Sequence, residues 1–239
     1  MSEDIFQRLR KAIGRYSVTF DATPSGVEIK FLKKLFNEAE AAMYMHLTGN
    51  LETPEQIAAR AGQDPEKAAG TLKRMAEKGL LYPKRDGETY YYAAAPFAHG
   101  ILEHQVHRMD RELAEYYEEY MFAEKIPDDP DKPVEYPLRT LPVKAPINVS
   151  RPIQPYENVK DLILKQDRIA VAKCFCAEHQ HLLETGCDKP REVCLMLGFY
   201  ADYYIDLGMG RRITQGEALD ILDMSEACLL YTSDAADDN

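Results

Sequence analysis

Residues 53–93 read TPEQIAARAGQDPEKAAGTLKRMAEKGLLYPKRDGETYYYA, and the punctuation of this stretch decides the fold of the N-terminal half. Thr53-Pro54-Glu55-Gln56 supplies a helix cap, a proline at the first helical position and an acid in the first turn. The helix it opens is short and ends at Gly62. Asp64-Pro65-Glu66 repeats the start signal, and the second helix runs to Gly79, a natural C-terminal stop. Leu80-Leu81-Tyr82 and Thr89-Tyr90-Tyr91-Tyr92 are strand-like and flank Arg85-Asp86-Gly87, a hairpin turn signal.

Upstream, residues 5–16 carry apolar residues at helical spacing. Residues 31–48 predict a further helix with Leu32, Leu35, Phe36, Ala39, Met43 and Leu47 on one side. Helices followed by a two-stranded hairpin make residues 31–95 resemble the winged helix-turn-helix domains of small bacterial and archaeal regulators. The resemblance implies that helix 65–78 is the recognition helix and Lys84-Arg85-Asp86-Gly87 the wing tip. Lys73, Arg74, Lys78, Lys84 and Arg85 are then the candidate DNA contacts. Residues 54–86 hold seven basic and five acidic residues, a thin surplus for a phosphate-binding face. DNA is a possible but unfavoured partner, and a protein-docking role fits the same residues.

Downstream, Leu102, Val106, Met109, Leu113, Tyr116 and Tyr120 step by alternating fours and threes. They predict one helix over 96–123 with a heptad-like seam, and through it a homodimer. Eight of the 14 prolines then fall between residues 126 and 155, which reads as an extended linker. The expected domains are 1–125, a linker 126–155 and a cysteine module 156–227. In that module, Tyr156–Lys165 reads as a helix, Ile169–Lys173 as a strand, Leu195–Leu207 as a helix, and Thr214–Glu217 as a capping box opening a helix through Ala227. The expected fold class is mainly α: a winged helix with a small β-hairpin, a Pro-rich linker and a small α-rich cysteine module.

Cys174, Cys176, Cys187 and Cys194 form a C-x-C-x10-C-x6-C constellation. Thiolates are soft ligands, and four on one short segment suit a single metal centre. An iron–sulfur cluster and a four-cysteine zinc site both fit. The spacing matches neither a zinc ribbon nor the C-x2-C-x2-C-x3-C run of bacterial ferredoxins, and uncommitted thiols are the third option. Gly186 and Pro190 suit a turn carrying Cys187 toward the C-x-C pair. Cys194 is expected at a helix start, where the dipole favours a thiolate. Lys173 and Lys189 are candidate charge balances. His179 and His181 lie in the expected loop between ligands and are weak ligand candidates beside four cysteines. Tyr200, Tyr203 and Tyr204 read as core or as shielding for a cluster.

The stretch 169–222, IAVAKCFCAEHQHLLETGCDKPREVCLMLGFYADYYIDLGMGRRITQGEALDIL, resembles the central region of a family of anaerobe 4Fe-4S ferredoxin-like proteins. In that family a C-x-C…G-C-D-x-P-x-E-x-C segment follows a winged-helix domain and precedes ferredoxin-type repeats. Cys174, Cys176, Gly186, Cys187, Asp188, Pro190, Glu192 and Cys194 match the pattern. Ala177 stands where the family often has a basic residue. The resemblance implies a 4Fe-4S cluster on Cys174, Cys176, Cys187 and Cys194, a redox partner protein, and an electron carrier or redox subunit more than a stand-alone enzyme. A redox- or metal-sensing winged-helix regulator is the alternative, and a zinc-stabilised interaction module the second alternative.

The chain has 239 residues and a net charge of −11, which argues against a wholesale nucleic-acid coat. Its N-terminus lacks a secretory h-region, and no apolar run is long enough for a transmembrane helix, so a cytoplasmic, membrane-free protein is expected. Residues 228–237, CLLYTSDAAD, match the in-frame translation of a transposase library adapter. The tail 228–239, including Cys228, is therefore set apart, and the chain is expected to be a fragment lacking its ferredoxin repeats.

Overall fold

A computed structural model describes residues 4–17, 20–128 and 157–227. Most of the expected linker and the whole tail 228–239 lie outside the described residues. The architecture is mainly α, with one two-stranded and one three-stranded antiparallel sheet. The described residues divide into two compact units. The first holds residues 4–17, 20–128 and 179–186, and the second holds residues 157–178 and 187–227.

In the first unit, α1 (Ile5–Gly14) packs on α2 (Val27–Leu35) and α3 (Glu38–Tyr44). The predicted single helix over 31–48 is two helices. Phe36 is extended, and Asn37 restarts the chain with a capping box. The Asn37 Oδ1 accepts from Glu40 N–H at 2.9 Å, and Asn37 N–H donates to the Glu40 carboxylate at 3.0 Å. Reading the apolar spacing alone missed this stop-and-start signal.

Next come α4 (Pro54–Ala61) and α5 (Pro65–Glu77), both with proline in the first turn and polar N-caps, as the sequence predicts. The hairpin is β1 (Leu81–Asp86) with β2 (Thr89–Ala94), in a register that pairs Asp86 with Thr89 and leaves Gly87-Glu88 as the turn.

The predicted continuous helix 96–123 is broken. His99 sits at φ 57° and Gly100 at φ −166°, so Phe97–Ile101 is an irregular turn, followed by a single 3-10 turn at Glu103–Gln105. Regular helix resumes only at α6 (Arg111–Phe122), where the Asp110 carboxylate accepts from Leu113 N–H at 2.9 Å. The seam residues Leu102, Val106, Leu113 and Tyr120 are buried within their own chain. α6 packs on α2, and the remaining seam residues Met109 and Tyr116 are half-buried.

An aromatic nest forms the centre of this unit. Phe20 stacks on Phe97 at 4.0 Å between centroids, and Phe31 and Tyr120 close on Phe97 at 5.4 and 5.5 Å. Ser17 ties α1 to the turn after β2, donating to the Ile13 carbonyl at 2.9 Å and accepting from Phe97 N–H at 2.8 Å. The buried Arg10 guanidinium makes a two-pronged contact with Asp128 and also donates to the Phe20 carbonyl.

In the second unit, α7 (Glu157–Leu164) precedes β3 (Ile169–Lys173). Then come α8 (Phe175–Leu182), β4 (Glu192–Leu197), α9 (Phe199–Asp206), β5 (Gly210–Arg212) and α10 (Gln215–Ala227). The division between units falls inside α8. The sheet order is β4-β3-β5, so β3 is central and almost wholly buried. Ile169 and Val171 join Ile163, Ile213 and Ala218 in one apolar cluster. By strand alternation, Ala170 and Ala172 point to the other face. Tyr203 and Tyr204 of α9 are buried against the sheet, a core role. The predicted helix over 195–207 begins only at Phe199, because residues 192–197 pair with β3.

His104 is 4% exposed, and burial lowers its pKa to about 4. A carbonyl can only accept, so its Nδ1–H donates to the Gly79 oxygen at 3.1 Å. Gly79 itself sits at φ +70°, and a Cβ there would meet the His104 Cβ at 2.5 Å. The unfolded chain protonates this imidazole near the ordinary value of 6.5, whereas the folded chain protonates it only near 4. Stability present above the upper value is therefore lost as pH falls through that window, by roughly 3 kcal/mol in full. Urea unfolding at a series of pH values checks this. His104→Asn, which retains a donor near Nδ1, is expected to flatten the slope, and an unchanged slope would refute the assignment.

Candidate metal centre

The thiol cluster is built from the end of a strand, the start of a helix and a paired strand. β3 ends at Lys173, with a register shift between Ala172 and Lys173. That irregularity turns Cys174 out of the ladder while its N–H still donates to the Arg191 carbonyl at 2.6 Å. Cys174 then occupies the cap position of α8. Its sulfur accepts from the backbone N–H groups of Cys176 and Ala177, the donors a helix start leaves unpaired.

Cys176 lies in the first turn of α8. Cys194 lies on β4 directly opposite Ala172, so it shares that residue's face of the sheet. Thiol contacts from Cys176 and Cys194 are the leading cause holding Cys174 far below the usual thiol range, with the two backbone donors adding to it and burial opposing it. The structure thus brings Cys174, Cys176 and Cys194 together.

Cys187 is placed differently. It lies outside any helix or strand and is exposed. Among the described residues, no group of three or more His, Cys, Asp and Glu side chains has the arrangement of a metal cage. Cys176 and Cys194 each contact Cys174. Their chemistry fits a thiophilic metal: soft donors, one thiol strongly biased toward thiolate, and a helix N-terminus to offset negative charge.

Cys194 is on a strand and not at a helix start, so the expected dipole effect falls on Cys174 instead. Residues 179 and 181 belong to α8, not to a loop. His179 is buried, its Nε2 lies 3.2 Å from the Ala114 carbonyl and 3.2 Å from the Glu118 carboxylate, and its ring meets Tyr117 edge-on at 4.8 Å. It is a packed structural histidine. Lys173 and Lys189 are exposed, as is Tyr200. Arg191, which sequence reading overlooked, pairs with Glu178 at 2.9 Å.

Of the candidate DNA contacts, Lys73, Arg74, Lys84 and Arg85 are exposed and Lys78 is half-buried. Lys78 pairs with Glu40 at 2.7 Å, and Glu40 is 2% exposed. Arg74 donates to the Thr71 hydroxyl at 3.1 Å. Arg85 donates to the Gly87 carbonyl at 2.9 Å and lies over the Tyr90 ring. Lys73 and Lys84 are exposed.

Comparison with protein-family models, with curated proteins and with solved structures yields no match. Among the described residues, no helix is long and apolar enough to cross a membrane.

Removing Lys78 leaves a buried carboxylate facing no cation. Lys78→Ala is therefore expected to cost about 2 kcal/mol, read as a shift in the urea midpoint. A change within about 0.5 kcal/mol, normal for a solvated surface residue, would return Lys78 to the set of free surface charges.

Proposed function

We propose that the chain is a piece of an iron–sulfur electron-transfer protein whose cluster is held by Cys174, Cys176, Cys187 and Cys194. The observation that carries this reading is the convergence of two thiols, from α8's first turn and from β4, on the Cys174 sulfur, which is held far below the usual thiol range. The first unit is read as a winged helix-turn-helix, supported by the order α4, α5 and hairpin. When bound, the cluster supplies a one-electron couple whose potential is set by burial and by hydrogen bonds to sulfur. The chain's own contribution is the set of backbone N–H groups at the start of α8, which favour charged sulfur, and a partly buried setting for Cys174 and Cys194.

The tie of Lys78 to buried Glu40 and the thin basic surplus of residues 54–86 count against the DNA-binding regulator. The hairpin and α5 then serve to dock a protein partner. Zinc on the same four sulfurs is the remaining chemistry, and metal analysis separates it from iron.

Anaerobic purification followed by iron, sulfide and zinc analysis tests the reading. Iron with matching acid-labile sulfide and broad visible absorption is expected, and Cys228→Ser is expected to change neither. Stoichiometric zinc without sulfide would sink the electron-transfer reading. A separate titration with duplex DNA is expected to give only weak binding that disappears as salt is raised. Operator-specific binding that survives about 200 mM salt and is lost in Lys73→Ala would favour the regulator.

A further inference from the structure

We propose that Cys174 is the shared sulfur of an internal redox couple: a hydroperoxide oxidises the metal-free chain to a disulfide between Cys174 and either Cys176 or Cys194. The inference goes beyond the metal reading above and stands on the contacts among the thiols, whatever the chain binds.

Two sulfurs reach Cys174 from two different elements. Cys176 and Cys194 each contact it. Cys176 is carried by the first turn of α8, where the Glu178 N–H donates to the Cys174 carbonyl at 3.0 Å. Cys194 is carried by β4, with Ala172 opposite it and Val171 opposite Leu195. Cys174 is itself anchored, its N–H donating to the Arg191 carbonyl at 2.6 Å. Thiols already in contact on anchored backbone can be joined with little backbone movement, the condition that disulfide geometry sets. Cys174, Cys176 and Cys194 are free thiols, and Cys176 is exposed, so a small oxidant can approach the group.

With hydrogen peroxide as the oxidant, the steps balance. The Cys174 sulfur attacks one peroxide oxygen, an S–O bond forms as the O–O bond breaks, and the other oxygen leaves as water with the thiol proton. The sulfenic acid meets a thiol already at its side, which forestalls irreversible oxidation to the higher acids. An S–S bond forms, the S–O bond breaks, and the hydroxyl leaves as water with the neighbour's proton. Two thiols have then given two electrons to the peroxide. Cys174 holds one partner at a time, so one thiol of the three stays reduced. That thiol can attack the Cys174 sulfur and release the other partner, an exchange that consumes no oxidant.

The test uses the full chain, stripped of metal and reduced, as wild type and as Cys174→Ser, Cys176→Ser and Cys194→Ser. Each is treated with hydrogen peroxide, blocked with iodoacetamide and mapped by non-reducing peptide mass, with far-UV circular dichroism to report folding. In wild type the links are expected to join Cys174 to Cys176 and Cys174 to Cys194, and a phosphine reductant is expected to reverse both. Cys176→Ser is expected to keep only the link to Cys194, Cys194→Ser only the link to Cys176, and Cys174→Ser neither. The proposal is overturned if wild type keeps these thiols reduced, if it oxidises them without linkage, or if its main link leaves out Cys174 or joins it to Cys187. It is overturned equally if folded Cys174→Ser forms a disulfide as readily as wild type. Should Cys174→Ser fail to fold, the links mapped in wild type decide alone. Iron analysis is a separate arm: a chain that forms the Cys174 links but never takes up iron removes the electron-transfer reading and leaves the redox couple standing.

Discussion

β3 and β4 run antiparallel with Ala172 opposite Cys194, and the thiol contacts follow from that register. A slip of one residue would turn Cys194 to the face occupied by Ile169, Val171 and the helices α7 and α10. The register is held by burial. Val171 and Leu195 pair across the ladder and enter the same apolar cluster, so a slip of β4 would take Leu195 out of it. Apolar packing on one face of the sheet thus places a sulfur on the other. The shift at Lys173 completes the arrangement, because it ends pairing where Cys174 must leave the strand to cap α8.

The first unit depends on a different economy, that of buried charge. Arg10, Glu28 and Glu40 are each nearly inaccessible, and each has a partner: Asp128, the Thr23 hydroxyl and Lys78. Glu40 closes the capping box of α3 and at the same time takes the Lys78 ammonium from the end of α5. That one carboxylate joins two helices and withdraws a cation from the surface of the would-be recognition helix. A local charge count over 54–86 cannot register this, because the acid that neutralises Lys78 lies outside the window.

Punctuation residues made much of the fold legible. Thr53-Pro54, Asp64-Pro65, Gly62, Gly79 and Thr214 each mark an element edge where the sequence places it, because caps and prolines act locally. The observed elements depart from the expected ones where a cap signal interrupts apolar periodicity. Asn37 with Glu40, and Asp110 ahead of α6, are cap signals inside apolar spacing that looked continuous. His99 in the left-handed region carries no sequence signal comparable to glycine. β4 was missed for a tertiary reason. Residues 192–197 read EVCLML, and nothing local makes them a strand until β3 lies beside them. That the cysteines fall on one short segment was legible in the sequence. The order among the four was not, because it depends on which sulfurs the ladder and the helix start bring together.

That order has an energetic logic at Cys174. Burial alone would keep this thiol neutral, since a charge taken out of water is costly. Two thiol donors and two backbone N–H groups act against burial, and together they outweigh it. Charge on one sulfur is favoured while its neighbours remain protonated donors, which is how thiols can lie in contact without mutual repulsion. The contacts that favour charge on Cys174 require its neighbours to keep their protons, so the helix start and the strand ladder together single out one sulfur of the three.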